Sequence, residues 1–104
     1  MRRVPDGNKS TMSRRVLVKF RIYVADNALN SAQALANLEA LCRAYLPDRH
    51  HIEVVDVFRE PKRALADGIF MTPTLVKIAP APTRSIVGSL SRTDLVVQAL
   101  GLKS

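Results

Sequence analysis

Few side chains in this chain of 104 residues could do chemistry, and their spacing limits what that chemistry would be. Thiol–disulfide exchange needs a thiolate, usually with a resolving cysteine, in the loop between a first strand and a first helix. That loop is residues 26–31, and it carries no sulfur. The single cysteine, Cys42, falls instead in an apolar helical stripe with Leu38 and Tyr45, where a free cysteine acts as a small buried hydrophobe. His50 and His51 are adjacent at the start of a strand, so in extended chain they point to opposite faces and do not chelate one ion. Asp26, Asp56 and Glu60 are the carboxylates that invite an acid–base reading, yet nothing in their spacing brackets a substrate between two of them. Cap, turn and surface roles suit them better, with a partner interface as a further role for Asp56. The four glycines, Gly7, Gly68, Gly88 and Gly101, are scattered and make no phosphate-binding loop. The expectation is a protein that is not an enzyme, with no cofactor and no metal site.

The elements that must position these residues are organised around Thr72-Pro73. Proline donates no ladder hydrogen bond, so Pro73 belongs at the mouth of a strand that Thr74 to Ile78 continue with β-branched and apolar side chains. Such an X-Pro step is where a cis peptide can be fixed, although trans is the commoner state. Upstream, residues 16–24 read as a strand in which Lys19 and Arg21 alternate with Phe20 and Ile22. Asn30 or Ser31 is placed to cap a helix whose Leu35, Leu38, Leu41, Cys42, Tyr45 and Leu46 recur at three- and four-residue spacing, and Pro47-Asp48 stops it. Residues 51–58 give a second strand, and strand–helix–strand implies a parallel crossover. Pro61 opens a short helix that Asp67-Gly68 ends. Residues 80–83 form a short connector to a strand over 84–88, and Ser91-Arg92-Thr93-Asp94 has capping-box spacing before a final helix with Leu95, Val96, Ala99 and Leu100 as one stripe. The order βαβαββα describes an α/β, thioredoxin-like single domain.

Charge and composition narrow the partners. Residues 1–15 hold five basic side chains against Asp6 alone, so over half of the net charge of +7 lies there. Residues 1–14 carry no hydrophobic period and read as a disordered basic tail, a solvated leader with Met12 as an alternative start or an arm for an acidic partner; residues 15–104 form the domain. Phe20, Tyr23, Tyr45, Phe58 and Phe70 sit in apolar segments and read as core rather than as a stacking platform, which argues against nucleic acid. No apolar run approaches the roughly 20 residues of a membrane-spanning helix, so no membrane partner is expected and the location expected is cytoplasmic.

Tyr23-Val24-Ala25, Asn27, Asn30-Ser31, Val55-Asp56-Val57, Pro61, Thr72-Pro73-Thr74-Leu75, Pro80 and Pro82, and Ile86-Val87-Gly88 with Leu90-Ser91 follow one another as in the KaiB family of circadian-clock proteins, which the chain resembles over residues 16–102. The resemblance implies a non-enzymatic partner of KaiC, a hexameric ATPase, whose phosphorylation cycle it modulates, with KaiA or a clock-output histidine kinase as competitor. It also implies two folds. In the thioredoxin-like, binding form Pro73 is cis; in the other the C-terminal half rearranges and the chain self-associates into dimers or tetramers. On that reading Asn27, Asn30, Asp56 and Pro61 bear the partner interface, and Thr72, Pro73, Pro80, Pro82 and Ala99 belong to the switch. Ala99 stands where the family commonly has glycine, which favours helix there. Asp26, Ala28-Leu29, Gln33, Ala81 and Ser89 depart from the family pattern, as in a homologue outside the cyanobacterial oscillator. The alternatives are a thioredoxin-fold redox or stress protein without the usual CxxC, and a small basic nucleic-acid-binding domain.

Overall fold

Seven elements follow in the order β1 (Val18–Val24), α1 (Leu29–Tyr45), β2 (His50–Asp56), α2 (Pro61–Ala66), β3 (Thr74–Ala79), β4 (Arg84–Val87) and α3 (Thr93–Leu100) in a computed structural model that describes residues 17–25 and 28–102. The basic tail and Asn27 lie outside the described residues. The four strands form one sheet in the order β2-β1-β3-β4. β1 and β2 are parallel, with Val18 opposite His50 and Val24 opposite Asp56, as expected when a helix carries the chain back between them. β3 runs antiparallel to β1, and β4 returns antiparallel along β3 with Leu75 opposite Ile86. The fold is α/β and thioredoxin-like, as the sequence predicts.

Alternation along β1 divides the sheet into two faces. Val18, Phe20 and Ile22 meet Leu38, Leu41, Cys42 and Leu46 of α1 and Val96 and Leu100 of α3 in the main core. Arg21 and Tyr23 face the other way, where Tyr23, Val55 and Ala64 of α2 make a second, smaller cluster. The charged residues that punctuate β1 therefore belong to the thinly covered side: Lys19 is exposed and Arg21 half-buried.

Several local expectations change in the structure. α1 starts at Leu29 with Ala28 at the cap position and no side-chain cap, because the Ser31 hydroxyl instead accepts a hydrogen bond from the Ala25 amide at 3.1 Å and is buried in doing so. Asn30 is exposed in the first turn. α3 likewise starts later than its capping-box spacing suggests: Arg92 holds the cap position without a side-chain bond, and Leu90 takes a positive φ of 64° to turn the chain into the helix. Its buried side chains are Val96 and Leu100, one full turn apart, whereas Leu95 and Ala99 are exposed on the flank. β2 ends at Asp56 rather than at Phe58, so Phe58 is not core but exposed. Phe70 also leaves the core, since Gly68, at a φ of 70°, ends α2 and sends residues 69–73 across the end of the sheet.

Candidate functional site

The end of the sheet where β1 and β2 finish and β3 begins gathers most of the residues singled out by sequence. Asp56 builds one loop there. Its Oδ1 accepts hydrogen bonds from the amides of Phe58 at 2.8 Å and Arg59 at 3.3 Å, and its carbonyl accepts from the amides of Arg59 and Glu60. An aspartate that bonds the backbone two residues on closes a turn by itself, which takes Phe58 out of the strand and points the chain at Pro61. Pro61 is the first residue of α2, where its fixed φ suits the helix and its missing N–H is no loss.

The second loop leads to β3. Thr72–Pro73 is cis, as are Ala79–Pro80 and Ala81–Pro82. Pro73 is buried, its carbonyl accepts the Gly88 amide at 3.0 Å, and the Thr74 hydroxyl donates to the Met71 carbonyl at 2.5 Å. Around these two loops stand large apolar side chains that cover nothing: Phe58 is 72% exposed, Phe70 88%, Met71 63% and Leu29 71%. Phe70, Met71 and Thr72 share a shallow cavity of about 150 Å³ with Val57 and Ile69. A neighbouring cleft of about 460 Å³ runs between Asp56 and the start of α1, walled by Val24, Leu29 and Leu35. Single exposed apolar residues are ordinary on a protein surface, and several of them at one end of a sheet make that end a candidate contact surface.

An ion-pair network fixes α2 beneath these loops. Arg21 bonds Glu53 at 2.8 Å across the parallel pair and reaches Asp67 at 3.2 Å, while Arg63 bridges Glu53 at 2.9 Å and Glu60 at 3.2 Å. The Tyr23 hydroxyl donates to the same Asp67 carboxylate. Hydrogen bonds from Arg63 and Arg21 pull the Glu53 carboxyl down to about 2 and, through Glu53, raise both guanidinium groups. The network therefore holds α2, and with it both loops, against β1 and β2.

Other sites named from sequence are placed elsewhere. Pro80 and Pro82 lie in the β3–β4 connection at the opposite end of the sheet. Ala99 lines a separate groove of about 310 Å³ between β4 and α3 with Ile86 and Leu95. Cys42 is fully buried in the main core, and burial, with Glu39 nearby, pushes its thiol up to about 11, away from the thiolate that disulfide exchange needs. Among the described residues no group of three or more His, Cys, Asp or Glu side chains is placed to hold a metal ion, and no helix is long and apolar enough to cross a membrane. Phe58, Phe70 and Met71 were the residues that sequence reasoning missed. Their signals were Asp56, two residues before Phe58, and Gly68, two residues before Phe70.

Fold and site together define a thioredoxin-like domain whose strand-to-helix loop has no cysteine and whose corresponding end is apolar and exposed. Solved structures agree on the fold: the N-terminal domain of Synechococcus elongatus SasA superimposes with a TM-score of 0.67 at 20% identity, over 83% of this chain and 85% of that one. Mitochondrial thioredoxin 3 of Saccharomyces cerevisiae gives 0.66 at 18% identity, over 88% and 85%. The chain belongs to the KaiB family, whose KaiB domain matches residues 21–102. It is 38% identical to Circadian clock protein KaiB3 of Synechocystis over 82% of this chain and 83% of that protein. To the Circadian clock oscillator protein KaiB of Synechococcus elongatus it is 37% identical, over 88% and 89%.

Proposed function

We propose that this chain is a clock or timing component that acts by docking, without catalysis, on a KaiC-type hexameric ATPase and so modulates its phosphorylation cycle. Family membership supports the clock role, since the curated relatives are named circadian clock proteins. The single observation that carries the docking role is the exposure of Phe58, Phe70 and Met71 on loops that Asp56, Pro61 and Thr72-Pro73 shape. Burying two or three such side chains at the centre of an interface is what concentrates binding energy, each fully buried aromatic contributing about 1.5–3 kcal/mol. Asn30, exposed in the first turn of α1, is proposed as part of the same contact set, together with Asn27, which lies outside the described residues.

KaiA or a clock-output histidine kinase is the expected competitor for the same ATPase. Thr72, Pro73, Pro80, Pro82 and Ala99 are proposed as the elements that rearrange if the chain also takes the self-associating fold, as a dimer or tetramer. The test is direct binding to the KaiC-type ATPase of the same organism. The reading requires saturable binding that Phe70→Ser weakens; absence of binding to the assembled hexamer overturns it.

A further inference from the structure

β4 is an edge strand of the sheet, and its pairing with β3 decides what the free side offers. Thr74 lies opposite Val87 and Lys77 opposite Arg84, and one pair beyond the strand the Gly88 amide donates to the Pro73 carbonyl at 3.0 Å. Backbone bonds in an antiparallel ladder join every second pair, so Ile86 and Arg84 also bond inward to β3 while Ser85 and Val87 turn their N–H and C=O groups outward. Among the described residues no backbone group outside the sheet takes up those of Ser85 or Val87, and both residues are exposed. An edge that presents such groups is a template for one more strand.

Both faces of that edge carry a hollow. Ile86 and Arg84 share the face that packs against α3, where the groove of about 310 Å³ runs along β4 with Leu95 and Ala99 as its far wall. Ser85 and Val87 share the other face and border a cavity of about 350 Å³ with Phe70, Met71 and Val76. A strand added at β4 places alternate side chains against these two hollows. Charge then selects among strands. Arg84 is exposed and stands directly opposite Lys77, which is buried, so two cations are neighbours on one face, an arrangement that costs stability. Neither makes an ion pair among the described residues, and the sequence holds no Asp or Glu between Asp67 and Asp94.

We propose that the β4 edge docks an extended segment of a partner protein, added antiparallel as a fifth strand, with an apolar side chain opposite Ile86 and a carboxylate two residues later opposite Arg84. In that register the residues before and between those two exchange backbone hydrogen bonds with Val87 and Ser85, and the apolar side chain enters the groove against Leu95. The antiparallel sense continues the ladder that β3 and β4 already form and is the stabler per residue. A second copy of this chain is disfavoured as the occupant. Two β4 strands paired about Ile86 set each Arg84 opposite Gly88 of the other copy, which supplies no carboxylate, and a charge on a short edge strand is a usual guard against self-pairing. The contact is separate from the ATPase docking proposed above, because Arg84 and Leu95 carry it and neither belongs to that surface.

The test uses the full chain and a fluorescent peptide, capped at both ends, of alternating threonine and valine with a glutamate two residues after the central valine, titrated by anisotropy. Saturable binding is expected. Ser85→Pro removes an outward N–H from an edge strand, where proline is tolerated, and should weaken binding about tenfold while the urea midpoint shows the fold retained. Leu95→Ser should weaken it a few-fold and leave ATPase binding at the parental level. Exchanging the peptide's glutamate for lysine should weaken binding to the parent a few-fold, and Arg84→Glu, an exposed substitution, should reverse that preference. No saturable binding, binding indifferent to Leu95→Ser and Ser85→Pro, a preference for glutamate that survives Arg84→Glu, or a dimer of the free chain that Ser85→Pro dissociates would each overturn the proposal. Because the ATPase titration is read separately, failure of the docking role leaves the peptide result intact, and the converse holds.

Discussion

Asp56 is the residue on which the turn and interface readings diverge, and replacing it separates them. Its carboxylate accepts the Phe58 amide at 2.8 Å and the Arg59 amide at 3.3 Å, both in an exposed loop. Hydrogen bonds to a charged acceptor contribute about 1.5–3 kcal/mol when shielded and nearer 0.5–1.5 kcal/mol when water competes, so Asp56→Ala should cost about 1–2 kcal/mol. With a urea slope near 1–1.5 kcal/mol/M for a small domain, the unfolding midpoint should fall by about 1 M. Asp56→Asn keeps one side-chain oxygen in the same place and should recover most of that loss, because the turn needs an acceptor rather than a charge. ATPase binding should follow stability in this pair: weakened in Asp56→Ala, where Phe58 is no longer held out of the strand, and largely kept in Asp56→Asn. Equal loss of binding in both variants, with the Asn variant as stable as the parent, would refute the turn argument and make the charge itself a partner contact.

Three other consequences follow from the packing. Glu53 is held down to about 2 in the fold against an ordinary 4.5, so its pairing with Arg63 and Arg21 stabilises fully above about pH 4.5 and is lost as pH falls from there toward 2. The urea-midpoint gap between the parent and Glu53→Gln should therefore be largest at neutral pH and close across that window; a gap that widens in acid would contradict the network. Cys42 should resist thiol reagents until the protein unfolds, and Cys42→Ala should cost on the order of 1 kcal/mol while leaving ATPase binding intact; disulfide-reductase turnover that disappears in this variant would contradict a structural cysteine. Ala99→Gly, at an exposed position of α3, should lower stability by up to about 1 kcal/mol and, if the second fold exists, raise its share of the population by up to about fivefold, read from backbone chemical shifts over residues 93–100; an unchanged population would remove Ala99 from the switch.

Much of this fold is legible in the sequence because its signals are local. Alternation in β1, the Leu38–Leu41–Cys42–Leu46 stripe of α1, Pro61 at a helix start and Pro73 at a strand mouth each depend on a few neighbouring residues. What sequence misplaces depends on the rest of the molecule. Ser31 has the chemistry of a helix cap, yet its hydroxyl is drawn to the Ala25 amide by the turn from β1. Ser91 has capping-box spacing, yet the turn at Leu90 starts the helix two residues beyond it. Leu95 and Ala99 share a helical period with Val96 and Leu100, but the sheet beneath α3 covers only one side of that stripe. Phe58 and Phe70 look like core because their neighbours are apolar, and only the Asp56 turn and the end of α2 at Gly68 put them outside. The candidate site was thus half visible: its framework of Asp56, Pro61, Thr72 and Pro73 was read from sequence, and the surface that framework presents was not.

On the proposed function, the exposed apolar end is where this KaiB-family domain meets its ATPase. The most direct measurement is a binding titration of the assembled KaiC-type hexamer with the parent chain, with Phe70→Ser, and with Leu95→Ser as an exposed apolar control on α3. Phe70 is 88% exposed, so its replacement should leave the urea midpoint unchanged while weakening binding at least tenfold, the 1.4 kcal/mol or more of a central aromatic contact, and Leu95→Ser should bind like the parent. Phe70→Ser binding as tightly as the parent, or a loss matched by Leu95→Ser, would contradict the claim.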